Sequence, residues 1–269
     1  DFPYVHLMRR IDDTLAASGK ARIFFKAPDK PFQDARDWGT LIHLVNADYE
    51  DLVAKRKHAP QGAARFLFER IDAAAKKAGV DARLGQADAA LAKALEKEAA
   101  DWLKEKDENI PESLSGKTLV IEFARGGPQN SSMPLIPPFG YAYSLAQLSP
   151  AILEKAAILY VWVTPEESRR KNEARTDPSD PGSILHHGVP LEVMLGDYGC
   201  DDMDWLENIS GQPGAVCVKA HGKEFFLKVG RFDNRVDKTS FLRADAEDWD
   251  PAAVKAVHEG LKSALDRLV

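Results

Sequence analysis

Apolar positions recur at helical spacing from the start of the chain: Val5, Leu7, Met8, Ile11 and Leu15 predict a helix that Ser18-Gly19 ends. Arg22-Ile23-Phe24-Phe25 reads as a short strand or a buried extended run, and Ala27-Pro28-Asp29-Lys30-Pro31 as a loop. From Asp37, the series Trp38, Leu41, Ile42, Leu44, Val45, Tyr49 and Leu52 predicts a second helix, and Phe66, Leu67, Phe68 and Ile71 a third. The Ala-rich stretch with Leu84, Leu91, Leu95 and Trp102 predicts a further helix, exposed and charged on its outer face.

At Pro111 the pattern changes. Thr118-Leu119-Val120-Ile121-Glu122-Phe123 is a continuous apolar run of strand length, as expected of a strand covered on both faces, and Gly126-Gly127-Pro128 ends it. Ser149-Pro150 starts a short helix through Ile152 and Leu153. Ala157-Ile158-Leu159-Tyr160-Val161-Trp162-Val163 is a second apolar strand. Thr164-Pro165-Glu166-Glu167 then supplies an N-cap, a proline at the first helical position and acids in the first turn. Two runs, Ala215-Val216-Cys217-Val218 and Phe225-Phe226-Leu227, flank His221-Gly222 and read as a hairpin. A terminal helix over 251–268 carries Val254, Val257, Leu261 and Leu265 on one face. Buried strands alternating with helices predict an α/β fold, an open and mostly parallel sheet flanked by helices, with a helical insertion and a C-terminal hairpin.

Composition narrows the function classes. The chain has 269 residues, of which 44% are hydrophobic, enough for a substantial core in one or two domains. Against 42 Asp+Glu stand 36 Lys+Arg, a net charge of -6, so the bulk field repels polyanions and no nucleic-acid partner is expected. Cys200 and Cys217 are too few for a disulfide framework or a Cys-rich zinc site. No apolar run approaches membrane-spanning length, and a cytoplasmic, soluble protein is the expectation. The chain opens on Asp1 rather than Met, directly into a periodic segment, which fits a start inside a domain.

Three clusters carry candidate chemistry. Gly116-Lys117-Thr118 looks like the end of a phosphate loop, but position 111 is Pro where that pattern needs Gly, and a strand rather than a helix is expected to follow. An ordinary turn is the better reading. Glu122 and Arg125 stand at the expected carboxyl end of the strand over 119–123, where ligands bind in open parallel sheets. There a carboxylate holds Mg²⁺ or takes a proton, and a guanidinium grips phosphate in bidentate fashion, unless the two simply pair with each other. The helix after Thr164 carries Arg169, Arg170, Lys171 and Arg175. Such a run is commonly a solvated face with acids at helical spacing, Glu166 with Arg170 for example, yet it also suits a polyphosphate in transfer. Asp177, Asp180, His186, His187, Asp197, Asp201, Asp202 and Asp204 lack ligand spacing, so solvated acids and a helix start at Asp201-Asp202 are expected, with no metal site.

The strand ending Glu122-Phe123-Ala124-Arg125-Gly126, and the stretch Tyr160-Val161-Trp162-Val163-Thr164-Pro165-Glu166-Glu167-Ser168-Arg169-Arg170-Lys171-Asn172-Glu173-Ala174-Arg175, resemble P-loop nucleoside and nucleotide kinases. The second resembles that family's strand, Pro-Glu helix start and Arg-bearing lid, and Gly230-Arg231-Phe232-Asp233-Asn234 resembles its last core strand. The resemblance covers roughly 115–269, and the family's phosphate loop has no counterpart in the 269 residues. It implies a single kinase-like domain over 1–269 in which 33–110 forms the acceptor-binding lobe. It further implies phosphate transfer from Mg-ATP to a small acceptor, with a homo-oligomer possible. Arg169, Arg170 and Arg175 would contact phosphates, with Glu122 and Arg125 facing substrate or magnesium. Asp233 and Asn234 would lie near the nucleotide, and Asp1, Arg9 and Tyr141 toward the substrate. The alternative is a non-catalytic nucleotide- or partner-binding relative that lacks the phosphate loop.

Overall fold

A computed structural model describes residues 1–85, 89–176 and 188–269. The protein is a mixed α/β structure that divides into two compact units. Unit 1 comprises Asp1–Arg125, Ile136–Phe139 and Tyr143–Ile152; unit 2 comprises Gly126–Leu135, Gly140–Ala142 and Leu153–Val269.

Unit 1 is built on helices α1 (Phe2–Ala17), α2 (Asp37–Val53), α3 (Ala63–Lys77) and α4 (Ala89–Glu108). Their apolar rows meet in a core of Met8, Ile11, Leu41, Ile42, Leu67, Phe68, Ile71 and Leu95. Burying each such side chain stabilises the fold by about 1.5–3 kcal/mol. The irregular segments are held by buried carboxylates. Asp12 of α1, with no exposed surface, accepts the backbone N–H groups of Ile23 at 2.7 Å, Phe24 at 3.2 Å and Phe25 at 2.8 Å. Phe25 then pairs with Phe32 across the proline-bracketed loop in a single β-bridge, so the expected short strand is reduced to that one contact. Asp72 of α3 accepts the N–H groups of Arg83 at 2.8 Å and Leu84 at 3.0 Å, and the Arg83 guanidinium pairs with buried Asp37 at 2.6 Å.

The expected strand over 119–123 is not formed. Residues 117–124 take part in no ladder, and Val120 is 86% exposed. An apolar run becomes a buried strand only when neighbours take up its N–H and C=O groups. Unit 1 supplies no partner strand for this run among the described residues, although the Asp1 amino group donates to the Glu122 carbonyl at 3.4 Å.

After the short helices α5 (Gly140–Ala146) and α6 (Pro150–Leu153), unit 2 contains β1 (Ile158–Trp162), α7 (Pro165–Arg175), α8 (Leu191–Gly196), α9 (Met203–Ile209), β2 (Ala215–Ala220), β3 (Lys223–Asp233) and α10 (Pro251–Leu265). The sheet order is β1-β3-β2. Strand β1 runs parallel to β3, from Ile158 opposite Val229 to Trp162 opposite Asp233, and β2 pairs antiparallel with β3 as the expected hairpin. Its turn residues His221 and Gly222 both have positive φ, 52° and 71°, which matches the right-handed twist of the two strands. Helix α10 lies on β3 through small residues, since a Cβ on Gly230 would fall 2.1 Å from the Ala264 carbonyl oxygen. Ala264 is buried there, while Val254 and Leu265 of the apolar row are 39% and 47% exposed. Leu159 and Val161 project to the same face of β1 and remain 39% and 49% exposed, so that face is open where cover on both faces was expected.

Replacing Asp12 with Ala strands three backbone donors, and the expected loss is about 2–4 kcal/mol of unit 1 stability by urea denaturation. A loss below about 1 kcal/mol would show that water or rearrangement satisfies those groups.

Candidate functional site

Because β1 and β3 are parallel, their carboxyl ends lie side by side, the position at which ligands meet open α/β sheets. The chain leaving β1 enters α7. Thr164 accepts the Glu167 N–H at 3.2 Å, Pro165 occupies the first turn, and Glu166 and Glu167 face the positive end of the helix, as the sequence predicts. The chain leaving β3 enters a loop over 234–239. The Asn234 N–H donates to the Trp162 carbonyl at 2.9 Å, its side-chain amide donates to Thr239 at 3.0 Å, and its Oδ1 accepts the Lys238 N–H at 2.8 Å. Asn234 is buried and shapes the loop. Asp233 grips Arg235 through two contacts of 3.0 and 2.9 Å, and the Arg235 guanidinium lies 3.6 Å from the centre of the Trp162 ring.

Helix α7 has no buried residue, so apolar packing does not hold it in place. Polar contacts do. Asn172 exchanges two hydrogen bonds with the backbone of Val189, at 2.7 and 2.8 Å. Arg170 is forked between Glu167, at 2.7 and 2.6 Å, and Asp237 of the loop, at 2.9 Å. Lys171 lies 3.2 Å from the same Asp237 carboxylate. The pairing expected as Glu166 with Arg170 is displaced by one residue: Glu166 meets Arg169 at 3.3 Å, and Glu167 meets Arg170. Arg175 donates to Asn172 at 3.3 Å. Unit 2 thus ties Arg170 to the loop after Asp233 and Asn234 through Asp237, whereas Arg169 and Arg175 pair with Glu166 and Asn172 of α7 itself; Asp237, Arg235 and Lys238 were not singled out by the sequence reading.

The electrostatics follow from these partners. Hydrogen bonds from the Arg235 side chain and backbone hold the Asp233 carboxyl well below the usual range. Burial pushes Asp237 up, but hydrogen bonds from Ser240, the Thr239 N–H and Lys171 outweigh it, and the carboxyl is held low. Glu167 is lowered by Arg170, whose own proton is bound more tightly by Glu167 and Asp237.

Tyr141 also belongs to unit 2. Its N–H donates to buried Asp202 at 2.6 Å, and its ring meets Tyr160 edge-on at 6.3 Å. Burial raises the Tyr160 hydroxyl, reinforced by the Asp201 carboxylate that accepts its proton at 2.7 Å. Asp202 precedes α9, as expected, and Asp204 pairs with Arg231. Of the other residues weighed as metal ligands, Asp197 is buried, and Asp177, Asp180, His186 and His187 lie outside the described residues.

Asp1, Arg9, Glu122 and Arg125 belong to unit 1. The expected placement of Glu122 and Arg125 at a strand end fails with the strand itself. Glu122 is exposed. The Arg125 guanidinium is buried, with all five N–H groups taken: Ser144 at 3.0 Å, Asp1 at 2.5 and 3.2 Å, and the carbonyls of Ala124 at 2.6 Å and Trp38 at 3.4 Å. Arg9 donates to the Pro28 carbonyl at 2.5 Å and lies over the Phe25 ring.

The cations of the cluster in unit 2 are each paired with a carboxylate, Arg170 with Glu167 and Asp237, Lys171 with Asp237 and Arg235 with Asp233, and the Arg170 side chain is half-exposed. The cluster does not fit a divalent ion, because Asp233, Asp237 and Glu167 are each engaged by Arg or Lys. Among the described residues no group of three or more His, Cys, Asp or Glu side chains is placed to hold a metal. Nor does any described helix have the length and apolarity to cross a membrane. No family model matches the chain, and neither curated proteins nor solved structures give a match.

Asp233 and Asp237 titrate near pH 4 in an unfolded chain and stay ionised to lower pH when folded. Their stabilisation is complete above that range and is lost as pH falls through their folded values. Thermal melts of unit 2 between about pH 6 and pH 2.5 are expected to show Asp237→Asn less stable at the upper end, with the difference closing as pH falls. A difference independent of pH would remove this linkage.

Proposed function

We propose that the chain is a phosphotransferase-like α/β protein whose unit 2 binds the polyphosphate of ATP at the carboxyl ends of β1 and β3. The observation that carries this reading is the meeting of cationic α7 with the 234–239 loop beside a parallel strand pair. Arg169 and Arg170 would neutralise phosphate oxygens, exchanging the carboxylates of Glu166, Glu167 and Asp237 for those of the ligand. Phosphoryl transfer asks a protein chiefly for positioning and charge neutralisation, and an exposed guanidinium supplies both at low desolvation cost. Magnesium enters this reading only as the counter-ion of the nucleotide. Acceptor recognition belongs to the helical segment 33–110, and the protein acts in the cytoplasm on a small molecule, its acidic balance disfavouring nucleic acid.

A second reading, a nucleotide-binding relative without turnover, is favoured by one observation. Gly116-Lys117-Thr118 lies in a segment with no following helix, so its N–H groups have no helix start with which to cradle phosphates.

Calorimetric binding of Mg-ATP to the wild type and to Arg170→Ala separates the outcomes. Loss of the charge-assisted contacts is expected to weaken binding about tenfold. Equal affinity for wild type, Arg169→Ala and Arg170→Ala would remove the assignment of α7. Binding without phosphate transfer to any acceptor supplied would select the second reading.

A further inference from the structure

Asp237 stands in no candidate set that the sequence suggests, yet it is the only residue of the loop after β3 with described ion pairs to α7. Its Oδ1 accepts the N–H groups of Thr239 at 3.1 Å and Ser240 at 3.0 Å, which fixes the carboxylate on its own loop. Its Oδ2 accepts from Arg170 at 2.9 Å, and Lys171 sits 3.2 Å away. Helix α7 has no fully buried side chain, so polar contacts carry much of what sets its rotation and its distance from the sheet, Asn172 with Val189 among them. Two consecutive cations on one anchored carboxylate add a second restraint, because residues 170 and 171 point in directions about 100° apart around a helix and both are tied to a single point.

On the reading that unit 2 binds polyphosphate, we propose that Asp237 is a positioning residue that holds α7 so that Arg170 and Lys171 face the carboxyl ends of β1 and β3. The charge of Asp237 alone works against an anionic ligand, and removing it would by simple Coulombic repulsion tighten polyphosphate binding. Positioning makes the opposite prediction. Without the anchor, the two cations and their helix lose orientation, and the ligand must order them on binding. Sign therefore separates the two roles.

The experiment is calorimetric titration of inorganic tripolyphosphate and of Mg-ATP into the full chain. Wild type, Asp237→Asn and Asp237→Glu are compared, each also in an Arg170→Ala/Lys171→Ala background, with melting temperatures recorded throughout. The expected result is a Kd raised about three- to tenfold by Asp237→Asn, restored at least in part by Asp237→Glu, and no weakening by Asp237→Asn once Arg170 and Lys171 are gone. Unchanged or tighter binding by Asp237→Asn overturns the inference, as does an equal loss in both backgrounds. If Asp237→Asn does not fold, Asp237→Ser carries the same comparison: a loss confined to the background that keeps both cations supports positioning, and an equal loss, or none, overturns it. A folded wild type that binds neither probe overturns the polyphosphate reading and this inference together, whereas one that binds both and is indifferent to Asp237 overturns the inference alone.

Discussion

The arrangement of unit 2 depends on the parallel pairing of β1 with β3. Five registered pairs, ending with Trp162 opposite Asp233, bring the ends of two strands to one edge. An antiparallel pairing would send α7 and the 234–239 loop to opposite ends of the sheet. Asn234 extends the register by one more bond to Trp162 and turns the chain back on itself, which is why the loop reaches α7 at Asp237. Hairpin β2–β3 and helix α10 serve the same end, with Gly230 admitting the α10 backbone so that β3 is covered on that face.

Two kinds of charge occupy the molecule. In unit 1 the carboxylates of Asp12, Asp37 and Asp72 are buried and saturated by backbone N–H groups or by Arg83, and Arg125 is saturated in turn. Such groups fix irregular chain, because a buried polar atom without a partner costs more than its bond returns. In unit 2 the pairs around α7 are partly exposed, Arg170 and Glu166 most of all, and their partners are exchangeable. A guanidinium already half in water gives up a carboxylate for a phosphate at little cost. One buried among Asp1, Ser144 and two carbonyls does not.

What was legible in the sequence was local. The Thr164-Pro165-Glu166-Glu167 start of α7, the His221-Gly222 turn and the helical rows of α1 to α3 are written in neighbouring residues, and all three form as expected. The strand over 119–123 was misread because its apolar content suits a buried strand, while strand formation depends on a partner that no local pattern encodes. Asp12, Asp72 and Asp237 escaped notice for a related reason. Asp12 and Asp72 act over 11 to 13 residues and Asp237 over 67, and an isolated aspartate reads as solvated. For Asp237 a signal did exist, as it stands two residues before Thr239 and three before Ser240, a spacing at which an aspartate accepts backbone N–H groups ahead.

The measurement that bears most directly on this account is an amide chemical-shift map of the labelled protein titrated with Mg-ATP. The account predicts saturable shifts concentrated at 163–171 and 233–240, weakened by added salt because the contacts are ionic. Shifts concentrated around Asp1, Arg125 and Ser144, or none at saturating nucleotide, would contradict it.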